Sequence, residues 1–236
     1  VEGAMRALSM RRGVDLESGA EALAALDRYV AALLAARRRA PCGDFLSNYV
    51  ASEAAAALTE DELRTQITSV ILAGSDTTRM ALCSTVAQLM LRPDQWAAVV
   101  DYPEGLKAPA VAEGLRFDPV IGSLPRVATA ELAFGGVRVP AGSVLSPVVL
   151  AALRDPAVYA EPDRFDIERE DHPRDHPVFG AGAHRCLGEA LAQAELEEAL
   201  AALATLAPKA RLVGPPPRLS GVSGARTIDG MRLALG

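Results

Sequence analysis

The sequence has few of the residues that would build a disulfide framework or a basic binding surface. Its three cysteines, Cys42, Cys83 and Cys186, are widely spaced and odd in number, so structural disulfides are not indicated and a reducing cytoplasm is expected. Only two lysines occur, Lys107 and Lys209, and 30 acidic residues outnumber 24 basic ones, which gives a net charge of −6. These absences argue against nucleic acid as a ligand.

Long apolar runs are also missing. No stretch of about eighteen apolar residues without charge occurs, so no membrane segment is predicted. The first six residues, VEGAMR, do not have the pattern of a signal peptide. We therefore expect a soluble cytoplasmic chain. Its 236 residues fit one domain that can bury a core without a partner.

Helical patterns fill the first part of the chain. Apolar residues at helical spacing predict a helix over about Leu16–Arg39, and its three final arginines suit a helix C-terminus. Thr59 and Glu62 form a capping box, and no proline follows it until Pro93. The run predicts a helix of roughly 48 Å, long enough to cross the domain and therefore central.

Shorter elements follow. The segment Ala110–Phe117 is predicted to be helical, and three strand-forming segments come after it: Glu131–Phe134, Val137–Val139 and Val144–Leu150. Between the first two strands, Gly135–Gly136 predicts a tight hairpin. A last helix is predicted from Gly188 to just before Pro208, and an irregular or strand-rich tail from Pro215. The expected fold class is mainly α with small β-sheets.

The most informative segment is FGAGAHRCLG at residues 179–188. Gly180 and Gly182 allow positive φ and a close approach of the backbone to a flat partner. Cys186 comes just before the helix that begins near Gly188, and a helix N-terminus favours a thiolate. The pattern therefore indicates a loop that presents a thiolate to a metal. A buried, inert cysteine in a tight loop is the alternative.

This pattern, Phe-Gly-x-Gly-x-His-x-Cys-x-Gly, resembles the haem-binding loop of the cytochrome P450 family. The resemblance implies haem b as cofactor and Cys186 as the proximal iron ligand, whose thiolate promotes O–O cleavage. It adds four cofactor-binding residues: Phe179, Gly180, Gly182 and Gly188. It also implies a cytochrome P450-like fold lacking its N-terminal portion. Residues 1–236 match only the C-terminal haem-binding part, since the family's catalytic domains run to roughly 400 residues.

A second resemblance lies in the long predicted helix, where residues 73–78, AGSDTT, are an unusual run of weak helix formers. The Thr77 hydroxyl can bond the carbonyl of Ala73, and Gly74 has no side chain, so the helix can bulge and leave a groove. The segment is similar to the family's oxygen-binding segment. This implies Asp76 and Thr77 as proton-delivering catalytic residues, with Ala73 and Gly74 at the cofactor. The alternative is a packed kink with Asp76 at the surface.

Glu113 and Arg116 lie three residues apart, on one helix face, where they can pair. The order Glu-x-x-Arg, followed later by Pro-Asp-Arg-Phe at residues 162–165, resembles the buried Glu-Arg-Arg network of the same family. The resemblance implies Arg164 as the third member. In the family these residues support the cysteine loop and are not catalysts.

Two further cations are implied as cofactor-binding residues, because the two propionates of a buried haem need partners. By resemblance these are His184 and Arg126. For each, a satisfied loop hydrogen bond is the alternative. A zinc site built from His172, His176, His184 and Cys186 is disfavoured, since prolines after the first two histidines prevent a helical pair and no second cysteine lies nearby.

The resemblance implies a bacterial-type haem-thiolate monooxygenase with a hydrophobic small-molecule substrate and electrons from a ferredoxin and its ferredoxin reductase. The remaining pocket walls would be Ile71–Thr77, Val120–Leu124 and the tail near Val222. A truncated, catalytically inert accessory or binding module is the alternative function. A peroxygenase is less expected, because peroxide-using relatives tend to replace the acid–alcohol pair.

Overall fold

The computed structural model describes residues 16–173, 175–221, 224–228 and 230–236, and groups the chain into two compact units. The first unit ends at Asp76, and the second runs from Thr77 to Gly236. Val222, one of the expected pocket residues, lies outside the described residues. Each unit has its own apolar core.

The first unit contains three helices and the start of a fourth: α1 Leu16–Arg39, α2 Phe45–Val50, α3 Glu53–Ala56 and α4 Glu60–Met90. Its core consists of apolar side chains from α1, α3 and the first turns of α4: Val30, Leu34, Ala55, Leu63 and Ile67. The predicted bounds of α1 are confirmed. Helix α4 has 31 residues and is therefore about 46 Å long.

The capping box at the start of α4 is confirmed. The Thr59 backbone N–H donates to Glu62 Oε2 at 2.8 Å, and the Glu62 N–H donates to Thr59 Oγ1 at 3.3 Å. Two N–H groups that have no partner within the helix are thereby satisfied. In the same unit, Arg38 of α1 pairs with Glu60 at 2.7 Å and ties the two helix ends together.

In the second unit, α4 is followed by α5 Pro93–Asp101 and α6 Pro103–Phe117, and later by α8 Glu189–Leu206. The sequence pattern does not predict helix α5, because Pro93 by itself indicates only the end of the preceding helix. Proline at the first position of a helix has no N–H to lose and a suitable φ, so it begins α5 and α6 alike. The predicted helix Ala110–Phe117 consequently starts earlier, at Pro103.

Helix α6 approaches the second-unit part of α4 closely at a glycine. A Cβ placed on Gly114 would overlap the side chain of Thr85, which is fully buried. Apolar side chains of α4, α6 and α8 form the centre of this unit's core, including Leu89, Val111, Leu196 and Leu200. The close packing holds the inner face of α6 in place.

The strands are short and antiparallel. Strand β1 Arg126–Val127 pairs with β4 Val144–Leu145, β2 Leu132–Phe134 with β3 Val137–Val139, and β5 Arg211–Leu212 with β6 Leu233–Ala234. The hairpin prediction is confirmed, with φ of 57° at Gly135 and 78° at Gly136. The prediction of a strand over Val144–Leu150 is wrong beyond Leu145. Pro147 cannot donate to a ladder, and a short helix, α7 Val149–Ala152, follows it.

The last predicted helix is confirmed as α8, and the tail beyond it contains strands and bridges. Ile121 bridges to Ala225, and Ser220 bridges to Thr227. Within the described ranges, no helix has both the length and the apolarity needed to cross a bilayer. The fold class is mainly α with small β-sheets, as predicted.

Candidate functional site

The cysteine loop consists of two single turns followed by a helix. A 3₁₀ turn at Pro177–Phe179 leads into Gly180, and a second one covers Gly182–His184. The Cys186 N–H then donates to the Phe179 carbonyl at 2.8 Å and closes the loop. Local hydrogen bonds therefore fix the backbone around the cysteine.

The predicted positive φ angles of the loop glycines are confirmed. Gly180 has φ of 74° and Gly182 has φ of 71°, which is backbone that residues with a Cβ adopt only at a cost. Among the described atoms, none lies within 4 Å of a Cβ built on Gly182, and the nearest to one on Gly180 is Leu124 Cδ1 at 3.7 Å. The backbone is therefore open at Gly182, whereas Gly180 is buried beside Leu124.

Cys186 is solvent-exposed, and α8 begins three residues after it, at Glu189. Gly188 is the N-cap residue, and its carbonyl accepts from the Ala192 N–H at 2.8 Å. Cys186 is therefore not buried, as the alternative required. Its accessible sulfur is available to ligate a metal.

Arg185 joins the loop to the helix, a role not predicted from the sequence. Its Nη1 donates to the Gly180 carbonyl at 2.9 Å, and its Nη2 donates to Glu189 Oε1 at 2.6 Å. The side chain spans the segment that contains Cys186. The i, i+4 spacing of Arg185 and Glu189 could have predicted this ion pair.

His176 anchors the start of the loop. It is buried, its Nδ1 accepts from the Val178 N–H at 3.3 Å, and its Nε2 lies 3.3 Å from the Ala112 carbonyl of α6. The neutral ring with its proton on Nε2 satisfies both contacts. Burial, and secondly the neighbouring His172, lower the pKa of His176 to about 4.

Among the residues that the structure describes, no zinc site is present. No group of three histidine, cysteine, aspartate or glutamate side chains is arranged there to hold a metal ion. Both ring nitrogens of His176 already have partners.

Arg126 and the loop glycines face the same pocket. This pocket has a volume of about 450 Å³, and its lining includes Leu124, Arg126, Val149, Gly180 and Gly182. The Arg126 side chain is exposed, and its Nη1 donates to the adjacent Pro125 carbonyl at 2.9 Å. An exposed cation thus borders a largely apolar space beside the loop.

Glu113 and Arg116 form a fully buried ion pair, as expected for the supporting network. Arg116 Nε and Nη2 donate to the two carboxylate oxygens of Glu113 at 2.6 and 2.8 Å, and both side chains are 0% exposed. Arg116 also donates to the carbonyls of Leu153, Pro162 and Arg164. The pair therefore ties α6 to the irregular segment that leads to the cysteine loop.

The third cation of this network is Arg169, and the expectation of Arg164 is wrong. Arg164 is 61% exposed and pairs with Glu161 at 3.2 Å, whereas Arg169 is 5% exposed and its Nε lies 3.3 Å from Glu113 Oε2. That approach has the distance of an ion pair without the alignment of a hydrogen bond. A turn closed by the Arg164 N–H and the Glu161 carbonyl aims the Arg164 carbonyl, not its guanidinium, at Arg116.

Comparisons with known proteins identify one family. The family model "Cytochrome P450" matches residues 108–205, which include both the buried pair and Cys186. The chain belongs to the cytochrome P450 family. It is 41% identical to cytochrome P450-pinF1 of Rhizobium radiobacter over 89% of this chain and 50% of the relative, and 40% identical to nocardicin C N-oxygenase of Nocardia uniformis over 83% and 49%.

Among solved structures, CalO2 superposes with a TM-score of 0.88 at 31% identity, over 100% of this chain and 59% of that one. The chain spans about half the length of the curated relatives it matches. Both results agree with a cytochrome P450-like fold that is present only in part.

Membership of the cytochrome P450 family implies a haem iron cofactor, and the residues of this loop fit one. Cys186 offers an accessible sulfur, Gly182 leaves open backbone beside it, and Arg126 supplies a cation at the adjacent pocket. His184 is exposed on the second turn of the loop. Phe179 is half-buried and packs edge-to-face against His176 at 6.1 Å between ring centroids.

The other motif that resembles the cytochrome P450 family lies on α4. Residues 73–78 are helical, and Ser75 Oγ donates to the Ile71 carbonyl at 2.6 Å. Asp76 is only 8% exposed, so the alternative that placed it at the surface is wrong. Among the described atoms, none lies within 4 Å of a Cβ built on Gly74, so the helix surface is open there.

Proposed function

We propose that this chain is the haem-bearing part of a cytochrome P450 monooxygenase that inserts one atom of dioxygen into an apolar organic substrate. Its cofactor is haem b, and its electrons come from a ferredoxin and a ferredoxin reductase in the cytoplasm. The observation that carries the proposal is the exposed Cys186 on a loop that two positive-φ glycines, Arg185 and the Cys186 N–H hold in shape.

Each loop residue has a role in this proposal. Cys186 Sγ binds the iron as the thiolate, and His184 and Arg126 pair with the propionates. Gly180, Gly182 and Gly188 keep the backbone close to the macrocycle, and Phe179 covers the sulfur side. When bound, the haem supplies the iron centre at which dioxygen is activated. The pair formed by Glu113 and Arg116 acts only as support, because neither side chain is exposed.

In this proposal, Asp76 and Thr77 deliver protons. The Thr77 hydroxyl holds a proton at Oγ1 for the reacting oxygen, and the buried Asp76 carboxyl replenishes it from solvent. Ala73 and Gly74 leave room for the cofactor on the same helix. Ile71–Thr77 and Val120–Leu124 would supply the apolar walls that select a hydrophobic substrate.

A carbon monoxide difference spectrum tests the iron ligand. With haem supplied, the reduced chain should give the strongly red-shifted Soret band of thiolate ligation, and Cys186→Ala should abolish it. Cys42→Ala is the matched control, since Cys42 is also exposed but lies in the first unit, and should leave the band unchanged. No red-shifted band from the unsubstituted chain would contradict monooxygenase function for this chain alone.

That negative result would favour a second candidate, a catalytically inert accessory or binding module of cytochrome P450 type. The chain spans about half the length of its curated relatives. Conversely, a scaffold has no use for the buried acid next to an alcohol on α4. The spectrum therefore separates the two candidates directly.

Thr77→Ala should uncouple oxygen consumption from product formation. Removal of the hydroxyl takes away the group that positions the proton, so the share of electrons recovered in product should fall at least about tenfold, with peroxide formed instead. The measurement compares NADPH, oxygen, peroxide and product in a reaction reconstituted with a ferredoxin. Thr78→Ala, one position further along the helix, is the control and should remain coupled. Equal coupling in both variants would contradict the role of Thr77.

A further inference from the structure

One nearly buried arginine holds the tail of the chain. The Arg226 side chain is 11% exposed and donates to four acceptors. Its Nη1 reaches Asp118 Oδ1 at 2.7 Å and the Pro119 carbonyl at 2.8 Å, its Nη2 reaches the Leu219 carbonyl at 2.9 Å, and its Nε reaches the Gly221 carbonyl at 3.1 Å. The guanidinium therefore connects the end of α6 to both sides of the tail turn.

The backbone next to Arg226 lies along the segment after α6. The Arg226 N–H donates to the Val120 carbonyl at 2.6 Å, the Gly122 N–H donates to the Gly224 carbonyl at 2.9 Å, and the Gly224 N–H donates to Ser123 Oγ at 3.3 Å. The tail and this segment consequently form one wall. Its continuation, through Leu124 and Arg126, borders the pocket beside the cysteine loop.

Asp118 extends this connection to the long helix. Ser84 of α4 is 2% exposed, and its Oγ lies 3.1 Å from the Asp118 carbonyl and 3.2 Å from Asp118 Oδ2. Ser84 follows Thr77 by seven residues, so it lies on the same face of α4 about 10 Å further along. One carboxylate thus contacts α4 through one oxygen and the tail through the other.

From these contacts we infer that Asp118 and Arg226 are a positioning pair that sets the spacing between α4 and the wall formed by Val120–Ser123 and the tail. The pair thereby sets how bulky a ligand can enter the space between α4 and this wall, and this consequence rests on the proposed function. The charges match, the guanidinium uses all three of its nitrogens, and each acceptor belongs to backbone or carboxylate that would otherwise lie partly buried. Neither residue is a catalytic residue.

Amide hydrogen exchange tests the positioning independently of any cofactor. In Arg226→Ala, exchange of the amides of Gly122, Gly224 and Thr227 should accelerate at least about tenfold, because charge-assisted hydrogen bonds to four acceptors are lost. Arg218→Ala is the matched control, an exposed arginine of the same tail, and should leave these rates unchanged. Equal rates in the two variants would overturn the inference. Should Arg226→Ala not fold, Asp118→Asn, which keeps the side-chain shape, takes its place and should accelerate the same amides.

The dependence of ligand affinity on ligand size distinguishes a positioning role from general structural support. In haem-loaded Arg226→Lys, which keeps the charge but cannot reach four acceptors, the Kd of 4-phenylimidazole should change at least about fivefold, while that of imidazole, which is too small to touch the wall, should not. Parallel changes in both Kd values would show a merely structural role. If no haem binds to the unsubstituted chain, the proposed function fails and the exchange experiment still decides the inference.

Discussion

Arg116→Met should lower the free energy of unfolding of the second unit by about 3–5 kcal/mol. The substitution leaves the Glu113 carboxylate at 0% exposure without its bidentate partner, and Arg169 contacts it only at 3.3 Å. It also removes the donor from three backbone carbonyls. The Asp166 N–H at 2.8 Å and Arg169 at 3.3 Å would stay near the carboxylate, but neither replaces the bidentate pairing, and water cannot solvate a carboxylate at 0% exposure. Urea unfolding followed by Trp96 fluorescence measures the change, since the single tryptophan is buried in this unit.

Arg164→Met is the matched control for this result. Arg164 also pairs with a glutamate three residues away, but the two side chains are 61% and 72% exposed. Exposed pairs contribute between zero and about 1 kcal/mol, so this substitution should change the free energy of unfolding little. A comparable loss in both variants would mean that Arg164, as the sequence predicted, belongs to the network after all.

This contrast shows which parts of the site were predictable. The glycines of the cysteine loop and the hairpin were recognised correctly, because positive φ is a local requirement that only a few residue types meet. The Glu113–Arg116 pair was recognised as well, because i, i+3 spacing on a helix fixes the contact. In each case the information lies within a few residues.

The third cation of the network could not be predicted in this way. Arg164 and Arg169 both follow α6 at a distance, and the shape of the intervening turns decides which guanidinium reaches Glu113. Glu161 has φ of 46°, and the Arg164 N–H bonds back to its carbonyl, so the chain reverses just before Arg164. A non-glycine residue in the left-handed region is uncommon, so sequence patterns gave no warning of it.

The helix starts show the same limit. Proline ends a helix before it or begins one at its own position, and only tertiary packing decides between the two outcomes. At Pro93 and Pro103 the second outcome holds, since both residues begin helices that contribute to the core through Val99 and Val111. At Pro147 the missing N–H instead ends a strand.

Acidification from pH 6.5 to about 4 should destabilise the second unit, with His176 contributing about 3 kcal/mol. Burial lowers its pKa to about 4 in the folded chain, whereas the unfolded chain titrates near 6.5. Between these values the unfolded state binds a proton that the folded state does not, so stability is complete above pH 6.5 and declines as the pH falls. The pKa of His172 is also lowered, mainly by burial, so this ring adds to the loss of stability on acidification. Urea unfolding at successive pH values measures the decline.

His176→Asn isolates the contribution of this ring. Asparagine does not ionise, so the free energy of unfolding should depend less on pH. Its Oδ1 can accept from the Val178 N–H as Nδ1 does, so the turn should be retained. An unchanged pH dependence of the free energy of unfolding would contradict the contribution of His176.

His176 also connects to the cysteine loop. It caps the turn that ends at Phe179, and the Phe179 carbonyl closes the loop onto the Cys186 N–H, so protonation should loosen the cysteine loop before the rest of the unit. Exchange of the Cys186 amide, whose N–H donates to the Phe179 carbonyl, should therefore accelerate below about pH 5 relative to its intrinsic rate in the unsubstituted chain and not in His176→Asn.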